Sequence, residues 1–296
     1  MLEQLICSQY KKDFEKNFHN SLVIGKLAST SYEEGMSFGD EKDVIMPGRV
    51  TLSDWDGGDL NTAEKVKSSI VKVKVDQGKQ VNFEIEHAKA VQMANAGEGE
   101  AQIKLASEYT SDAVYQFRDA IDTALGKLYP FAGYVIDDGS GGAVSITANN
   151  ALSLLAYMKS KFSRGHNGSA WQNGKMIAIL PPELIAIMLG MTMLQYTESQ
   201  VQDVQKGVVM EKAGWKIYES NNIYSPSTGV YQPLFGVEGE TLASVIQKDM
   251  ELLPYMRTQS INEAYKGAGM FGVAAPRSDM LGTAKISLSV SLAPAS

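Results

Sequence analysis

The residues GAGMFG at positions 267–272 have the G-x-G-x-x-G spacing of loops that bind the pyrophosphate of a dinucleotide. That chemistry needs the motif directly after a strand and at the start of a helix, because the phosphates lie on the N–H groups of the helix N-terminus. Here SINEAYK, with a helical pattern, comes before the motif, and Pro276 rules out a long helix after it. The glycines Gly267, Gly269 and Gly272 therefore predict a helix C-terminal cap followed by a turn, with a nucleotide-dependent soluble enzyme as the alternative.

The other candidates for chemistry are weaker. DWDGGD at positions 54–59 begins like a calcium loop, but its fifth position is Gly58 and its twelfth is Lys65 instead of glutamate. The three histidines are far apart in the sequence, and Cys7 is the only cysteine, which excludes an internal disulfide and a cysteine-based zinc site. We therefore predict no catalytic residue, no metal site, no cofactor and no enzymatic activity.

The composition indicates a protein with a sizeable hydrophobic core, and its charge argues against binding to nucleic acid as its main function. The 296 residues are 44% hydrophobic and 21% charged, with a net charge of −7. Counterion release from DNA needs clustered basic residues, and the longest basic run is the pair Lys11 and Lys12. The segment MIAILPPELIAIMLGMTML is long enough to span a membrane, but Pro181, Pro182 and Glu183 interrupt it. We interpret it as a buried strand followed by a helix, with no membrane contact.

Apolar and charged residues alternate on both sides of Gly78 in the stretch IVKVKVDQGKQVNFEIE, which predicts a β-hairpin centred on that glycine. The predicted apolar pairs are Val75 with Val81, Val73 with Phe83, and Val71 with Ile85. The opposite face carries Lys72, Lys74, Glu84 and Glu86. A two-stranded ribbon is marginal in water, so its apolar face must be covered by another surface.

Helical periodicity is clearest from Ile103 to Leu128, and it predicts a helix about 40 Å long. A second amphipathic helix is predicted in ITANNALSLLAYMKSKFSRG, ending at Gly165, and a third from Thr241 to Lys248. GWKIYE and TAKISLSVSL have strand patterns. The first thirty residues predict an amphipathic arm or helix.

The order of these elements resembles the major capsid (coat) proteins of tailed bacteriophages. The resemblance lies in FGDEKDVIMPGRVTL, KVKVDQGKQVNFEIEHAKAVQ and the helix KLASEYTSDAVYQFRDAI. It continues in WQNGKMIAILPPELIAIML, VVMEKAGWKIYESNNI and the closing segment YMRTQSINEAYKGAGMFGVAAPRSDML. Phe83, Ile85, Glu86 and Gln92 occupy the family pattern F-x-(V/I)-(D/E)-(D/E)…Q, and His87 departs from it.

The resemblance implies the Hong Kong 97-type fold, an α+β architecture with an N-terminal arm, an extended β-hairpin loop, a long spine helix, and peripheral and axial domains. The expected divisions are an arm at 1–37, the extended loop and peripheral strands at 38–99, the spine helix of the peripheral domain at 100–143, the axial domain at 144–231, and a return to the peripheral domain at 232–296.

The same resemblance implies a structural subunit that assembles with itself into pentamers and hexamers of an icosahedral head. The shell would enclose double-stranded DNA without specific binding, form in the host cytoplasm and become part of the virion, with portal, scaffolding and decoration proteins as partners. An encapsulin-type cargo shell is the alternative within the fold. The expected subunit-interface residues are Val71, Lys72, Val73, Lys74, Val75, Val81, Phe83, Glu84, Ile85 and Glu86. On this expectation, Val73→Asp or Phe83→Asp stops assembly but leaves the subunit folded.

Overall fold

A computed structural model describes residues 23–32, 37–46, 50, 52, 54, 62–85, 101–165, 175–189, 208–256 and 262–288. Three α-helices lie in these ranges: α1 at Ala101–Gly126, α2 at Ala151–Arg164 and α3 at Pro182–Leu189. The 26 residues of α1 extend about 39 Å at 1.5 Å per residue, which confirms the long helix. Short 3₁₀ turns occupy Ile24–Leu27, Tyr129–Phe131 and Ser278–Met280.

The described residues contain fifteen strands. Seven lie before residue 181: β1 Ala28–Ser29, β2 Glu41–Met46, β3 Ser69–Lys74, β4 Gln77–Ile85, β5 Tyr134–Ile136, β6 Val144–Ile146 and β7 Met176–Leu180. Eight lie after residue 207: β8 Val208–Lys212, β9 Trp215–Glu219, β10 Val230–Tyr231, β11 Leu234–Val237, β12 Leu242–Met256, β13 Glu263–Ala274, β14 Gly282–Ala284 and β15 Ile286–Leu288.

These strands form four sheets. A long antiparallel pair, β12 and β13, lies at the centre of a sheet with the order β1-β12-β13-β4. A mixed six-stranded sheet has the order β5-β14-β11-β7-β9-β8, and a small sheet has the order β10-β15-β6. The fourth sheet is a two-stranded ribbon of β2 and β3.

Two hydrophobic cores lie on opposite faces of β7. Met176, Ala178 and Leu180 face the core beneath α2 and α3, whereas Ile177 and Ile179 face the core of α1. Because side chains alternate along a strand, a strand buried on both faces has a continuous apolar sequence. The expected buried strand followed by a helix at Pro181 is confirmed.

Trp215 is at the centre of the first of these cores. Its ring lies edge-on to Phe162 and Phe235, with ring centroids 5.4 and 5.3 Å away. Its indole N–H donates to the backbone oxygen of Leu155, 3.2 Å away. In the other core, α1 packs against β12 and β13, and the ring of Phe117 contacts that of Phe271.

The predicted hairpin around Gly78 is wrong. β3 pairs with β2, so that Val73 lies opposite Lys42 and Val71 opposite Val44. β4 pairs instead with β13, which sets Phe83 opposite Tyr265, and Gly78 lies within the strand. The alternation correctly predicted that both segments are strands, but it does not specify which strand each one pairs with. The lysines of β3 pair with the acidic residues at the start of β2, and β4 pairs with the long edge of β13.

Two other local predictions are also wrong. The expected helix at Thr241–Lys248 is the beginning of the 15-residue strand β12. Glu263 to Lys266 of SINEAYK and all of GAGMFG lie in β13, so the predicted helix cap and turn do not exist. A motif inside an antiparallel strand has no helix N-terminus to hold a pyrophosphate, which removes the dinucleotide alternative.

The predicted second helix and the strand in GWKIYE are confirmed, and TAKISLSVSL is extended as far as Leu288, where the described residues end. Most of the expected N-terminal arm, residues 1–22, lies outside the described residues, as does Glu86. Within the described part of that segment, the chain forms the turn Ile24–Leu27 and the two-residue strand β1.

Candidate subunit interface

The β2–β3 ribbon carries opposite charges in register at its start. Glu41 lies opposite Lys74 and Asp43 lies opposite Lys72. The ammonium of Lys72 is 2.9 Å from Glu41 Oε2, and that of Lys74 is 3.5 Å from Oε1. The hydrogen bond from Lys72 holds the pKa of Glu41 below its ordinary value, and the same bond raises the pKa of Lys72. Both groups are exposed, so these pairs select the strand partner more than they stabilise the fold.

The same face becomes apolar at the other end of the ribbon. Ile45 and Ile70 lie directly opposite each other, and 65% and 57% of their surfaces are exposed. Directly opposed residues point to the same side of a sheet, so the two side chains form one apolar patch, which we call the ribbon tip. Single exposed apolar side chains are common on protein surfaces, but two that adjoin on the same face make the ribbon tip a candidate contact surface.

The base of the ribbon is attached to the subunit's own core. Val73 and Val75 are fully buried in a cluster with Ala243, Val245 and Ala274. The subunit's own strands cover these two valines, whereas a neighbouring subunit was expected to cover much of this face, and we therefore expect Val73→Asp to unfold the subunit. The long strands β12 and β13 already supply the surface that the ribbon needs.

A glycine in β13 allows this close attachment. A Cβ atom added at Gly272 would collide with the carbonyl oxygen of Lys74, which is backbone and cannot rotate away. The ribbon backbone thus lies directly against β13. Its base is fixed on the subunit and the ribbon tip extends away from it.

The predicted interface residues of β4 lie in a different sheet from those of β3. Phe83 is half-buried, with its ring centroid 5.3 Å from that of Tyr265 and 5.6 Å from that of Tyr109 on α1. Ile85 is buried, Val81 is half-buried, and Glu84 accepts a hydrogen bond from the Asn262 side chain at 2.6 Å.

The structure therefore divides the predicted site. Val71, Lys72 and Lys74 lie on the ribbon with part of their surface open, Val73 and Val75 are in the core, and the β4 residues pack near α1. The ribbon tip is not among the predicted interface residues, because it forms only when β2 pairs with β3, and that pairing is not visible in the sequence.

Glycines in β13 explain the G-x-G-x-x-G spacing by packing. A Cβ at Gly269 would lie 2.5 Å from the ring of Phe117 on α1, and one at Gly267 would lie 2.6 Å from the backbone oxygen of Glu251. Gly269 has no room for a Cβ because α1 packs against it, and Gly267 has none because the neighbouring strand β12 lies too close. The part of the chain that the structure describes contains no group of three His, Cys, Asp or Glu side chains that could hold a metal ion. Nor does any helix in the described ranges have the length and apolar character needed to cross a membrane.

Comparison with known proteins gives a result at the level of structure. No protein-family model matches the sequence, and no curated protein matches it. A chain from Mycobacterium phage Che8 superposes with a TM-score of 0.68 at 18% identity, over 89% of this chain and 91% of that one. The capsid of Ralstonia phage GP4 superposes with a TM-score of 0.62 at 8% identity, over 94% of each chain. The chain has the Hong Kong 97-type capsid fold.

The capsid fold is shared beyond phages. A virus-like particle from Pyrococcus furiosus superposes with a TM-score of 0.51 at 11% identity, over 96% of this chain and 99% of that one. The matches span nearly the whole length of both partners, so the capsid fold describes the chain as a whole.

Proposed function

We propose that this protein is the major capsid protein of a tailed bacteriophage, a structural subunit without enzymatic activity that assembles into the icosahedral shell around the genome. The observation that carries the proposal is the agreement of fold with phage capsid chains over about nine-tenths of both partners. The ribbon tip is compatible with it, because its exposed apolar pair offers a contact surface to a neighbouring subunit.

The ribbon tip serves this function by packing against an adjacent subunit. Full burial of an aliphatic side chain such as Ile45 or Ile70 contributes roughly 1.5–3 kcal/mol. One such contact is weak, but closed symmetry repeats it at every subunit boundary, and assembly then holds each subunit in place. Because Val73 and Val75 are buried in the core, the orientation of the ribbon is fixed before assembly, and less conformational entropy is lost when the ribbon tip docks.

The remaining predicted interface residues act in a supporting position. Lys72 and Lys74, on the same face of the ribbon, would form the polar rim of the contact, where charges steer association and set specificity. Val71, Val81, Phe83, Glu84, Ile85 and Glu86 remain proposed contact residues separate from the ribbon tip. The net charge of −7 suits a wall that encloses DNA without adhering to it.

We further propose pentamers and hexamers as the units of the shell, assembly in the host cytoplasm, and portal, scaffolding and decoration proteins as partners. The division at residues 37, 99, 143 and 231 into arm, extended loop, spine helix, axial domain and peripheral return belongs to the same proposal. It is consistent with α1 lying inside the third segment and α2 inside the fourth.

Substitution at the ribbon tip tests the proposal. Ile70→Asp places a charge on an exposed position and is expected to leave the unfolding temperature within about 2 °C of the natural value. It is expected to abolish shells, because the aspartate would have to lose its hydration at the subunit boundary. Light scattering and negative-stain images of the same sample give the particle size, and circular dichroism gives the unfolding temperature.

Ile70→Leu is the matched control, because it keeps the apolar surface, and it should assemble as the natural protein does. If Ile70→Asp forms shells of the natural size, the ribbon tip is not at a subunit boundary. Small shells that form without DNA and carry a cargo protein would instead favour the encapsulin-type compartment.

A further inference from the structure

Asp122 of α1 is a buried carboxyl group that binds the backbone of a distant segment. Only 4% of its surface is exposed. The N–H groups of Val23 and Ile24 donate to its Oδ2 at 3.0 and 3.3 Å, and that of Gly25 donates to its Oδ1 at 3.3 Å. These residues begin the 3₁₀ turn Ile24–Leu27, whose own preceding residue supplies no side-chain cap. Asp122 therefore caps a turn that lies nearly one hundred positions earlier in the chain.

The capped turn links three parts of the subunit. Ile24 and Leu27 are fully buried in the core of α1. The chain then continues into β1, where Ala28 pairs with Leu242 at the start of β12. The N–H of Gly239 also donates to the backbone oxygen of Lys26 at 2.8 Å. The turn is thus the point at which residues 1–22 join the described part of the chain.

We propose that the Asp122 carboxyl group is a proton-sensitive clasp that holds the turn at residues 23–27 on α1 and holds it more tightly in acid than at neutral pH. The proposal concerns the single subunit and does not depend on shell formation. It assigns Asp122 a positioning role for the start of the chain.

The sign follows from the two environments of the carboxyl group. Burial raises the pKa of Asp122 to about 6, although the three N–H donors lower it and thereby offset part of the burial effect. When the turn opens, water reaches Asp122 and its pKa returns to the ordinary 3.8. The closed state therefore binds a proton more readily than the open state, so the closed turn is favoured below the closed-state pKa and weakens as the pH rises through it.

The charges around Asp122 do not reverse this sign. Asp119 lies one turn earlier on α1, and its negative charge raises the pKa of Asp122 further. The Lys26 ammonium lies 4.0 Å from the centre of the Tyr218 ring and interacts with Glu238. The Arg118 charge interacts with Asp249. The segments of β1 and β12 that pack here, Ala28–Ser29 and the start of β12 at Leu242, Ala243 and Ser244, have no titratable side chain.

Hydrogen exchange of the full-length protein tests the clasp. We expect the protection of the amides of residues 23–25, corrected for intrinsic exchange, to rise about tenfold between pH 7.5 and pH 5, as the two pKa values require. Amides of α2, whose buried side chains all lie in the other core, are the internal reference, because global opening would change both groups together. Protection that stays constant relative to α2, or that falls in acid, would overturn the proposal.

Two variants separate the clasp from general effects of charge. Asp122→Asn keeps an acceptor oxygen but cannot titrate, so the tenfold rise should disappear. Asp112→Asn removes an exposed carboxyl group from the same helix, and the tenfold rise in protection should persist in this variant. If Asp122→Asn does not fold, the pH series of the natural protein still decides the matter. Shell formation is scored separately by particle size, so failure of the clasp and failure of the proposed function give different results.

Discussion

Val73→Asp is expected to unfold the subunit. Val73 is fully buried with Val75, Ala243 and Val245, in a cluster whose buried members are valines and alanines. Burying an unpaired charge, together with the lost packing, costs on the order of 4 kcal/mol or more. That is a large part of the roughly 5–15 kcal/mol that stabilises a typical domain. The measurement is the denaturant midpoint by circular dichroism, with the soluble yield as a second readout.

The control for Val73→Asp is Ile70→Asp, the same substitution three residues earlier on the same strand. The two variants differ in burial, since Ile70 is 57% exposed and Val73 is not exposed at all. We expect the Val73→Asp subunit to unfold and the Ile70→Asp subunit to remain folded but unassembled. A folded Val73→Asp subunit with an unchanged midpoint would mean that the ribbon base is not part of the core.

Gly272→Ala is expected to lower the free energy of unfolding by about 1–3 kcal/mol, the usual cost of overpacking. The added methyl group would collide with the carbonyl oxygen of Lys74, so the ribbon base must move away from β13. That movement opens the contact around Val73 and Val75 and also redirects the ribbon tip. We therefore expect fewer or misshapen shells as well as a lower denaturant midpoint.

Gly78→Ala is the matched control for this glycine. Gly78 lies in the neighbouring strand β4, has ordinary negative φ, and has no atom within 4 Å of an added Cβ. The substitution should leave the midpoint unchanged or slightly higher, because alanine reduces the entropy of the unfolded chain. If both alanine variants have the same stability, the close approach of β3 to β13 is not a feature of the folded protein.

The sequence predicted the elements whose signals are local. The stripe along α1 repeats for about seven turns, and the apolar run before Pro181 has the pattern of a strand buried on both faces. Amphipathic periodicity and proline positions depend on neighbouring residues alone, so one chain is enough to read them. The family resemblance added the order of the elements, which the structural comparisons confirm at the level of fold.

Strand partners could not be predicted because they depend on residues distant in the sequence. The alternation around Gly78 fits a hairpin as well as it fits separation into two sheets, and only Glu41 and Asp43 opposite the lysines decide between them. The segment from Leu242 reads as a helix by composition, yet pairing with β13 along most of its length overrides that preference. The glycines of β13 are needed because Phe117 and the Lys74 backbone lie too close for a Cβ atom, and the spacing of the glycines in the sequence does not reveal either contact.

The most direct measurement for the central claim is a cryo-electron microscopy reconstruction of the purified, assembled protein. We predict a closed icosahedral shell of pentamers and hexamers in which Ile45 and Ile70 of one subunit contact a neighbouring subunit. Val73 and Val75 should remain inside their own subunit. A discrete small oligomer, or a shell in which the ribbon tip faces solvent, would contradict the account.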